Sequence, residues 1–429
     1  MNIWLVTIGE PVPIEGNTQS TLHRTGYFAK HLTASGHSVT WWTSTFDHFT
    51  KVHWYDQDKT VELGENLTVR LLHGGGYKKN VSLARMRDHR QIASKFRSYI
   101  SAESLKPDLI VSAYPTVGLC SAALDCGEKF NIPVVIDMRD MWPDIFLDVL
   151  WKPLQPLVRL FTAFMFREAE KVCSRATAIT GITDTFVEAG LKRGNRNRTE
   201  LDKSFALGKT QNVPSVEDKQ RAEEVWDKLE IFSNQNDFIA CFLGTIGMTF
   251  DIQSIVNAAK ILDKSGNKSL KFVVCGLGDR LENYKNQTKN LSNIIFPGWV
   301  NAAEMYVLMQ RAEVGIAPLP DRQDFLSTIN NKAIEYMSAG LPIISSPSHG
   351  KLADTLAAEE CGLSYNFGNA EKLTEIILRL DSDRDQLDKL SSNSTRLFSE
   401  RFTAEKVYQD MMTHFELIVD TNKARELNS

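Results

Sequence analysis

The chain reads as two successive rounds of short apolar runs alternating with amphipathic helical text, and each round opens on a run that ends in glycine. In the first round the strand-like runs are Ile3–Ile8, Val39–Thr43, Leu67–Leu72, Asp108–Ala113, Pro133–Asp137 and Thr177–Thr180, with helical patterns such as Leu22, Ala29 and Leu32 between them. In the second they are Phe238–Leu243, Lys271–Cys275, Ile294–Phe296, Val314–Ala317 and Pro342–Ser345. Helical stretches run from Ile252 to Leu262, from Arg280, from Ala302 to Arg311 and from Lys332. Strand–helix alternation implies mostly parallel sheets covered on both faces, so the fold class is α/β.

Two similar openings, Leu5-Val-Thr-Ile-Gly9 and Cys241-Phe-Leu-Gly244, start two Rossmann-like halves. Ligands of open α/β sheets sit outside the carboxyl ends of the strands, so the pattern predicts two domains facing a central cleft. The division falls at 1–205 and 206–400. The polar text from Lys192-Arg193-Gly-Asn-Arg196-Asn-Arg198 to about Asp218 reads as the linker, and its basic residues also suit an anionic ligand or surface. A last helical pattern, 404–420, has no strand after it and is expected to pack back on the first half.

Composition narrows the function classes. With 49 basic and 53 acidic side chains among 429 residues, the net charge of −4 offers no basic field for nucleic acid. The six cysteines are scattered without a C-x-x-C pair, which fits a reduced, cytoplasmic setting. The N-terminus has no basic leader and reads as a strand. The longest uncharged stretch, Leu109 to Leu124, is broken by Ser112, Pro115 and Thr116 and falls short of the roughly 20 apolar residues that span a bilayer. From Trp151 to Arg167, however, Leu154, Leu157, Val158, Phe161 and Met165 form one apolar helical face, while Phe166 falls on the polar side near Arg159. Such a segment suits core packing, and it also suits peripheral contact with the inner face of the cell membrane.

Three glycine-bearing turns follow strands: Gly9 with the Pro11–Gly16 loop, Gly244-Thr-Ile-Gly247, and Gly276-Leu-Gly278-Asp279. Each fits either a tight turn or a phosphate cradle. Gly276-Leu-Gly278 lacks a third glycine, since position 281 is Leu281, so a nicotinamide fingerprint is poorly supported. On a short helix, Lys332 and Glu335 share one face three residues apart. The carboxylate can accept both hydroxyls of a ribose and the ammonium can neutralise a diphosphate, although the same spacing suits a surface ion pair. The nine histidines form no metal motif, and Asp381-Ser-Asp383 lies between two helical patterns as a solvated turn. Ser345 and Ser346 lack the G-x-S-x-G elbow of a hydrolase.

Five blocks in order carry a resemblance: Asp137-Met-Arg139-Asp140-Met-Trp142-Pro143, Phe242-x-Gly244, Val274-Cys-Gly276-x-Gly278-Asp279, Phe296-x-Gly298-x-Val300, and Lys332-x-x-Glu335-Tyr-Met-x-Ala-Gly340-x-Pro. The chain resembles the retaining nucleotide-sugar glycosyltransferases of family 4, which have the two-Rossmann GT-B fold. The first block resembles that of transferases building bacterial surface polysaccharides. The resemblance implies that Glu335 binds the donor ribose, Lys332 the diphosphate, and the backbone around Gly276 and Val300 the nucleobase, with Gly244 at the donor site. It implies Asp140 and Arg139 at the reaction centre and Gly16 and Tyr114 on the acceptor. Where the family often has a second glutamate this chain has Ser327, with Asp324 as substitute. Thr245 to Phe250 lacks the family's cations, so Arg280, Arg322, Arg139 or backbone N–H groups must assist Lys332. The expected activity moves a sugar from a nucleoside diphosphate to a hydroxyl of a glycan or lipid-linked acceptor, with no cofactor and no metal. The alternatives are a UDP-sugar 2-epimerase of the same architecture and a non-catalytic partner subunit.

Overall fold

A computed structural model of the chain describes residues 1–14, 22–80, 82–144, 162–229 and 237–427. The chain divides into two compact units, Met1–Gly208 with Ala404–Ser429, and Lys209–Thr403. Both are α/β with parallel sheets at their centres.

The first unit is built on β1 (Asn2–Val6), β2 (Ser38–Ser44), β3 (Lys59–Glu62), β4 (Leu67–Leu72), β5 (Leu109–Tyr114), β6 (Val134–Met138), β7 (Ala178–Gly181) and β8 (Lys203–Ser204). Their order is β3-β4-β2-β1-β5-β6-β7-β8, and every pairing is parallel except that of β3 with β4. The period of two along β1 sends Trp4 and Val6 to one face and Ile3 and Leu5 to the other, which gives the unit two cores. On one face Trp4, Trp42 and Phe96 meet edge to face. On the other, Phe28 packs against Tyr408 and Phe415 of the helix Ala404–Leu427. That helix therefore closes the first unit's sheet although it lies at the far end of the chain.

The second unit contains β9 (Phe238–Leu243), β10 (Leu270–Cys275), β11 (Ile294–Gly298), β12 (Val314–Pro318), β13 (Ile343–Ser346) and β14 (Gly362–Ser364), all parallel, in the order β11-β10-β9-β12-β13-β14. Strand order reverses between β9 and β12 here and between β1 and β5 in the first unit. These are the positions where open α/β sheets leave a crevice.

Two expectations need correction, and three strands were not foreseen. Only the first part of the expected linker, Lys192 to Arg198, is misplaced, since the boundary between Gly208 and Lys209 lies within the rest of it. That first part belongs to the first unit, where Arg196 pairs with Asp202 at 3.2 Å and Arg198 with Asp184 at 2.7 Å and Glu188 at 3.1 Å. The short or polar strands β3, β8 and β14 carry no continuous apolar run and escape a reading by hydrophobicity. Phe166 is not on a polar face: in the helix Ala163–Arg175 it is buried at 8% exposure beside Ala169 and Val172, whereas Phe164 is 43% exposed. The rest of the expected amphipathic segment, 151–161, lies outside the described residues.

One buried charge network organises the first unit. Asp137, fully buried at the end of β6, accepts from Arg24 Nε at 2.9 Å and Nη2 at 3.2 Å, from Arg139 Nε at 2.7 Å and from Thr180 Oγ1 at 2.9 Å. Arg24 also donates to the carbonyls of Phe205 and Ala206. Arg139 in turn pairs with Glu10. Two guanidiniums and two carboxylates thus neutralise one another. Burial alone would raise the Asp137 carboxyl, but Arg24 and Arg139 outweigh it and hold it well below the usual carboxylate range.

Asp137→Asn should leave two guanidiniums short of a counter-charge and cost roughly 3–5 kcal/mol of stability, read by urea unfolding. Because the folded carboxyl titrates below its unfolded value near 3.9, its contribution is present above about pH 4 and is lost as pH falls. The variant should lack that share of the acid sensitivity; equal slopes below pH 4 would contradict the network's role.

Candidate functional site

The second unit's crevice is organised by the helix Asn331–Ser338. Asn330 caps it, its side chain accepting from the Ala333 N–H at 3.0 Å, while Ala333, Ile334, Tyr336 and Met337 bury one face. Strands β9 and β12 pair only at Val314↔Ala240 and Gly315↔Cys241. Beyond that point the Tyr336 hydroxyl bridges them, accepting from the Leu243 N–H at 3.0 Å and donating to the Ile316 carbonyl at 3.2 Å. The ring fits because position 315 is glycine: a Cβ there would lie 2.4 Å from the Tyr336 ring. This locks the helix across the strand reversal.

One turn before Tyr336, Lys332 sends its ammonium to the end of β9. The Nζ lies 4.0 Å from the centroid of the Phe242 ring and 4.9 Å from that of Phe250, in cation–π contact with both. Gly244 makes the room, since a Cβ on it would stand 2.3 Å from Nζ. No carboxylate lies within 4.0 Å of this ammonium among the described residues. The side chain as a whole is only half-buried, but its charged end is packed, and burial pulls its pKa down to about 7 against the opposing effects of Cys241 and Glu335. The site therefore holds a cation without its counter-ion, an arrangement that favours an incoming anion.

Glu335, half-buried on the same helix, is paired with Lys209 at 2.8 Å. Lys209 opens the second unit. Its N–H donates to the Phe402 carbonyl, and it forms a bridge with Thr403, so both ends of the unit's chain meet beside this carboxylate. The sequence reading missed Lys209 and left the roles of Phe250 and the Tyr336 hydroxyl undrawn. Spacing could not reveal a partner so remote in the chain.

The glycines of the β10 loop serve close packing against the β9 loop. A Cβ on Gly276 would lie 1.7 Å from the Gly244 carbonyl oxygen, and one on Gly278 2.1 Å from that of Ile246, so these glycines let two loops lie directly on each other. The N–H groups of Gly244, Ile246, Gly276 and Arg280 are spent on carbonyls of Cys275, Leu277, Gly298 and Ile246. Arg280 stands beside this loop pair and makes no ion pair among the described residues. Val300 is half-buried next to Trp299, which is 68% exposed. Asp324 offers no open carboxylate: Arg322 binds it twice, at 2.7 and 2.5 Å. That pair also occupies Arg322 as a helper for Lys332.

In the first unit, Arg139 is not an open cation but lies between Asp137 and Glu10, with Thr25 Oγ1 at 2.9 Å. Glu10 is fixed as well, accepting from the Thr25 N–H at 3.0 Å. Both Glu10 and Arg24 were absent from the expected set. Asp140 is half-buried and accepts from the Trp142 N–H at 3.0 Å. Tyr114 is fully buried and spends its hydroxyl on the Trp142 carbonyl, so it braces the Asp140 loop from behind and does not face an acceptor. Gly16 lies outside the described residues. Among the described residues no group of three or more His, Cys, Asp or Glu side chains is arranged to hold a metal.

Lys332→Met should stabilise the free protein by about 1–4 kcal/mol in urea unfolding near neutral pH, since an uncompensated buried charge gives way to an apolar chain of similar length. Loss of stability would mean that the ammonium already has an internal partner. Lys209→Met should raise the KM for donor about two- to fivefold with kcat kept, because a half-exposed pair that orients Glu335 is worth under about 1 kcal/mol. Lys209→Arg should restore the wild-type value; an unchanged KM in Lys209→Met would leave the pair without a role.

Residues 227–397, in the second unit, match the family described as glycosyl transferases group 1, and residues 24–192, in the first, match glycosyltransferase family 4. Solved structures similar over nearly their whole length include sucrose-phosphate synthase from Thermosynechococcus elongatus, with 16% identity, a TM-score of 0.71 and coverage of 98% of this chain and 99% of that one. Anabaena HepE in complex with UDP follows at 15% identity and TM-score 0.65, covering 97% and 100%. WaaG, a glycosyltransferase involved in lipopolysaccharide biosynthesis, has 13% identity and TM-score 0.60, covering 96% and 98%. No curated protein matches the chain by sequence. At such identities the solved structures establish the GT-B fold, and the two family matches, one in each unit and together spanning most of the chain, supply the rest: the chain is a glycosyltransferase of that fold.

Proposed function

We propose that the enzyme transfers a sugar, with retention of configuration, from a nucleoside diphosphate to a hydroxyl of a glycan or lipid-linked acceptor in surface-polysaccharide assembly. The observation that carries the donor half is the uncompensated Lys332 ammonium at the strand reversal, with Glu335 one turn further along the same helix. A departing diphosphate supplies the missing counter-charge. Retention and the polysaccharide setting rest on the resemblance of the Asp137–Pro143 and Lys332–Pro342 blocks. HepE structures hold UDP and UDP-glucose, which supports a uridine donor.

Glu335 accepts from the two ribose hydroxyls while Lys209 holds its carboxylate in place. The exposed Leu277 and Trp299, at the ends of β10 and β11, offer apolar surface to the base. As the glycosidic bond breaks, negative charge grows on the diphosphate and positive charge on the sugar. Lys332 stabilises the first of these without a metal, helped by N–H groups of the β9 loop such as those of Thr245 and Gly247, which have no internal acceptor among the described residues. Asp140, fixed by its own loop, orients the acceptor hydroxyl.

Glu335→Ala should weaken UDP binding by roughly 1–3 kcal/mol in calorimetry. A UDP analogue lacking both ribose hydroxyls should bind wild type and variant alike. Equal loss of the analogue would refute the ribose contact. Incubation with donor alone should return the donor sugar unisomerised, and product with an acceptor should keep the donor's anomeric configuration. Isomerised sugar without acceptor would make the enzyme an epimerase.

A further inference from the structure

The loops after β2 and β4 and the start of the helix Leu83–Ala102 converge on Tyr77. The Lys51 ammonium and the Arg85 guanidinium lie 5.0 and 5.6 Å from the centroid of its ring, and both are tied to Asn80, through its side chain at 2.5 Å and its carbonyl at 2.9 Å. Lys78, Lys79 and Arg87 stand exposed around them. None of these five cations has a carboxylate within 4.0 Å among the described residues. Elsewhere in the same unit Arg70, Arg97, Arg175 and Arg198 each hold one. The acids nearby are turned inward: Asp47 accepts from the Phe49 N–H and buried Asp88 from that of Gly76.

This concentration of charge costs stability. The helix Leu83–Ala102 has no acid in its first turn and carries Arg85 and Arg87 at its positive end, against the helix dipole. Lys51 itself has φ +62, a conformation that L side chains rarely adopt. The same positive surroundings, after burial, push His48 down to about 4. Beside the cations stand three large, exposed apolar side chains: Phe49, 60% exposed although its ring meets those of His23 and His48 edge to face, Val52 at 54% and Leu83 at 83%. Apolar tips set among unpaired cations suit an anionic lipid surface, which takes the tips into its acyl boundary and the cations to its phosphates. The loop carrying them also rests on the turn after β1, His48 Cβ standing 3.8 Å from where a Cβ of Gly9 would be. The patch thus borders the first unit's strand reversal.

We propose that this face, Phe49–Val52 with Lys78, Lys79, Leu83 and Arg87, docks the enzyme on an anionic lipid bilayer. It is separate from the segment 151–167 and independent of the sugar or nucleotide used. Co-sedimentation of the full chain with phosphatidylcholine vesicles, with and without phosphatidylglycerol, tests it without donor or acceptor, so the result is separate from that of the transfer reaction. Wild type should bind only the phosphatidylglycerol vesicles, and added salt should release it. Lys78→Glu and Arg87→Glu should each weaken partition about fivefold, and Leu83→Ser should weaken it further, all with UDP affinity unchanged as the check on folding. Absence of wild-type binding at low salt would overturn the proposal, and so would variants that bind like wild type. Release by soluble glycerol phosphate at concentrations too low to screen charge would show a site for free phosphate and overturn the bilayer as partner.

Discussion

The second unit is arranged around one ammonium group that lacks an internal counter-ion. Lys332 stands over the faces of Phe242 and Phe250, in a space that exists only because position 244 has no side chain. A carboxylate there would be the simpler way to stabilise the fold. Its absence leaves the packed ammonium with a pKa near 7, a cost to the free protein that an incoming anion would relieve. Several neighbouring features follow from keeping that cation in place. Tyr336 pins the helix across the diverging ends of β9 and β12, Gly315 admits its ring, and Gly276 and Gly278 press the β10 loop onto the β9 loop.

The first unit solves the opposite problem. At the end of β6 its charges are fully compensated, Arg24 and Arg139 facing Asp137 and Glu10. The block that suggests a reaction centre is therefore in large part a scaffold, with Asp137 and Tyr114 holding the loop that presents Asp140. The contrast separates cations that build the fold from those kept for a ligand. By the same criterion, the basic and apolar face around Tyr77 stands out beside Arg70, Arg97, Arg175 and Arg198 of the same unit, each of which holds a carboxylate.

Much of this was legible in the sequence because central parallel strands are buried on both faces and appear as unbroken apolar runs. Phe238–Leu243 is recovered to the residue. Edge strands such as Lys59–Glu62 are polar and half-solvated, so hydrophobicity carries no sign of them. Lys332 and Glu335 were legible because a helix places positions three apart on one face. Arg24 and Asp137 are 113 residues apart, and nothing local in either position announces the other. Polarity misled the reading around Lys192–Arg198, because a surface stitched by arginine–carboxylate pairs has the composition of a linker.

The most direct measurement of the central claim is the number of protons taken up when UDP binds, obtained by calorimetry in buffers of different ionisation enthalpy near pH 8. There the diphosphate is fully ionised, and a lysine with a pKa near 7 is mostly neutral in the free enzyme. Neutralisation by the diphosphate must raise that pKa, so the account predicts uptake close to one proton per UDP, falling toward zero near pH 6 and abolished in Lys332→Met. A binding enthalpy independent of buffer at both pH values would show that Lys332 is already charged and paired in the free enzyme, and would contradict the account.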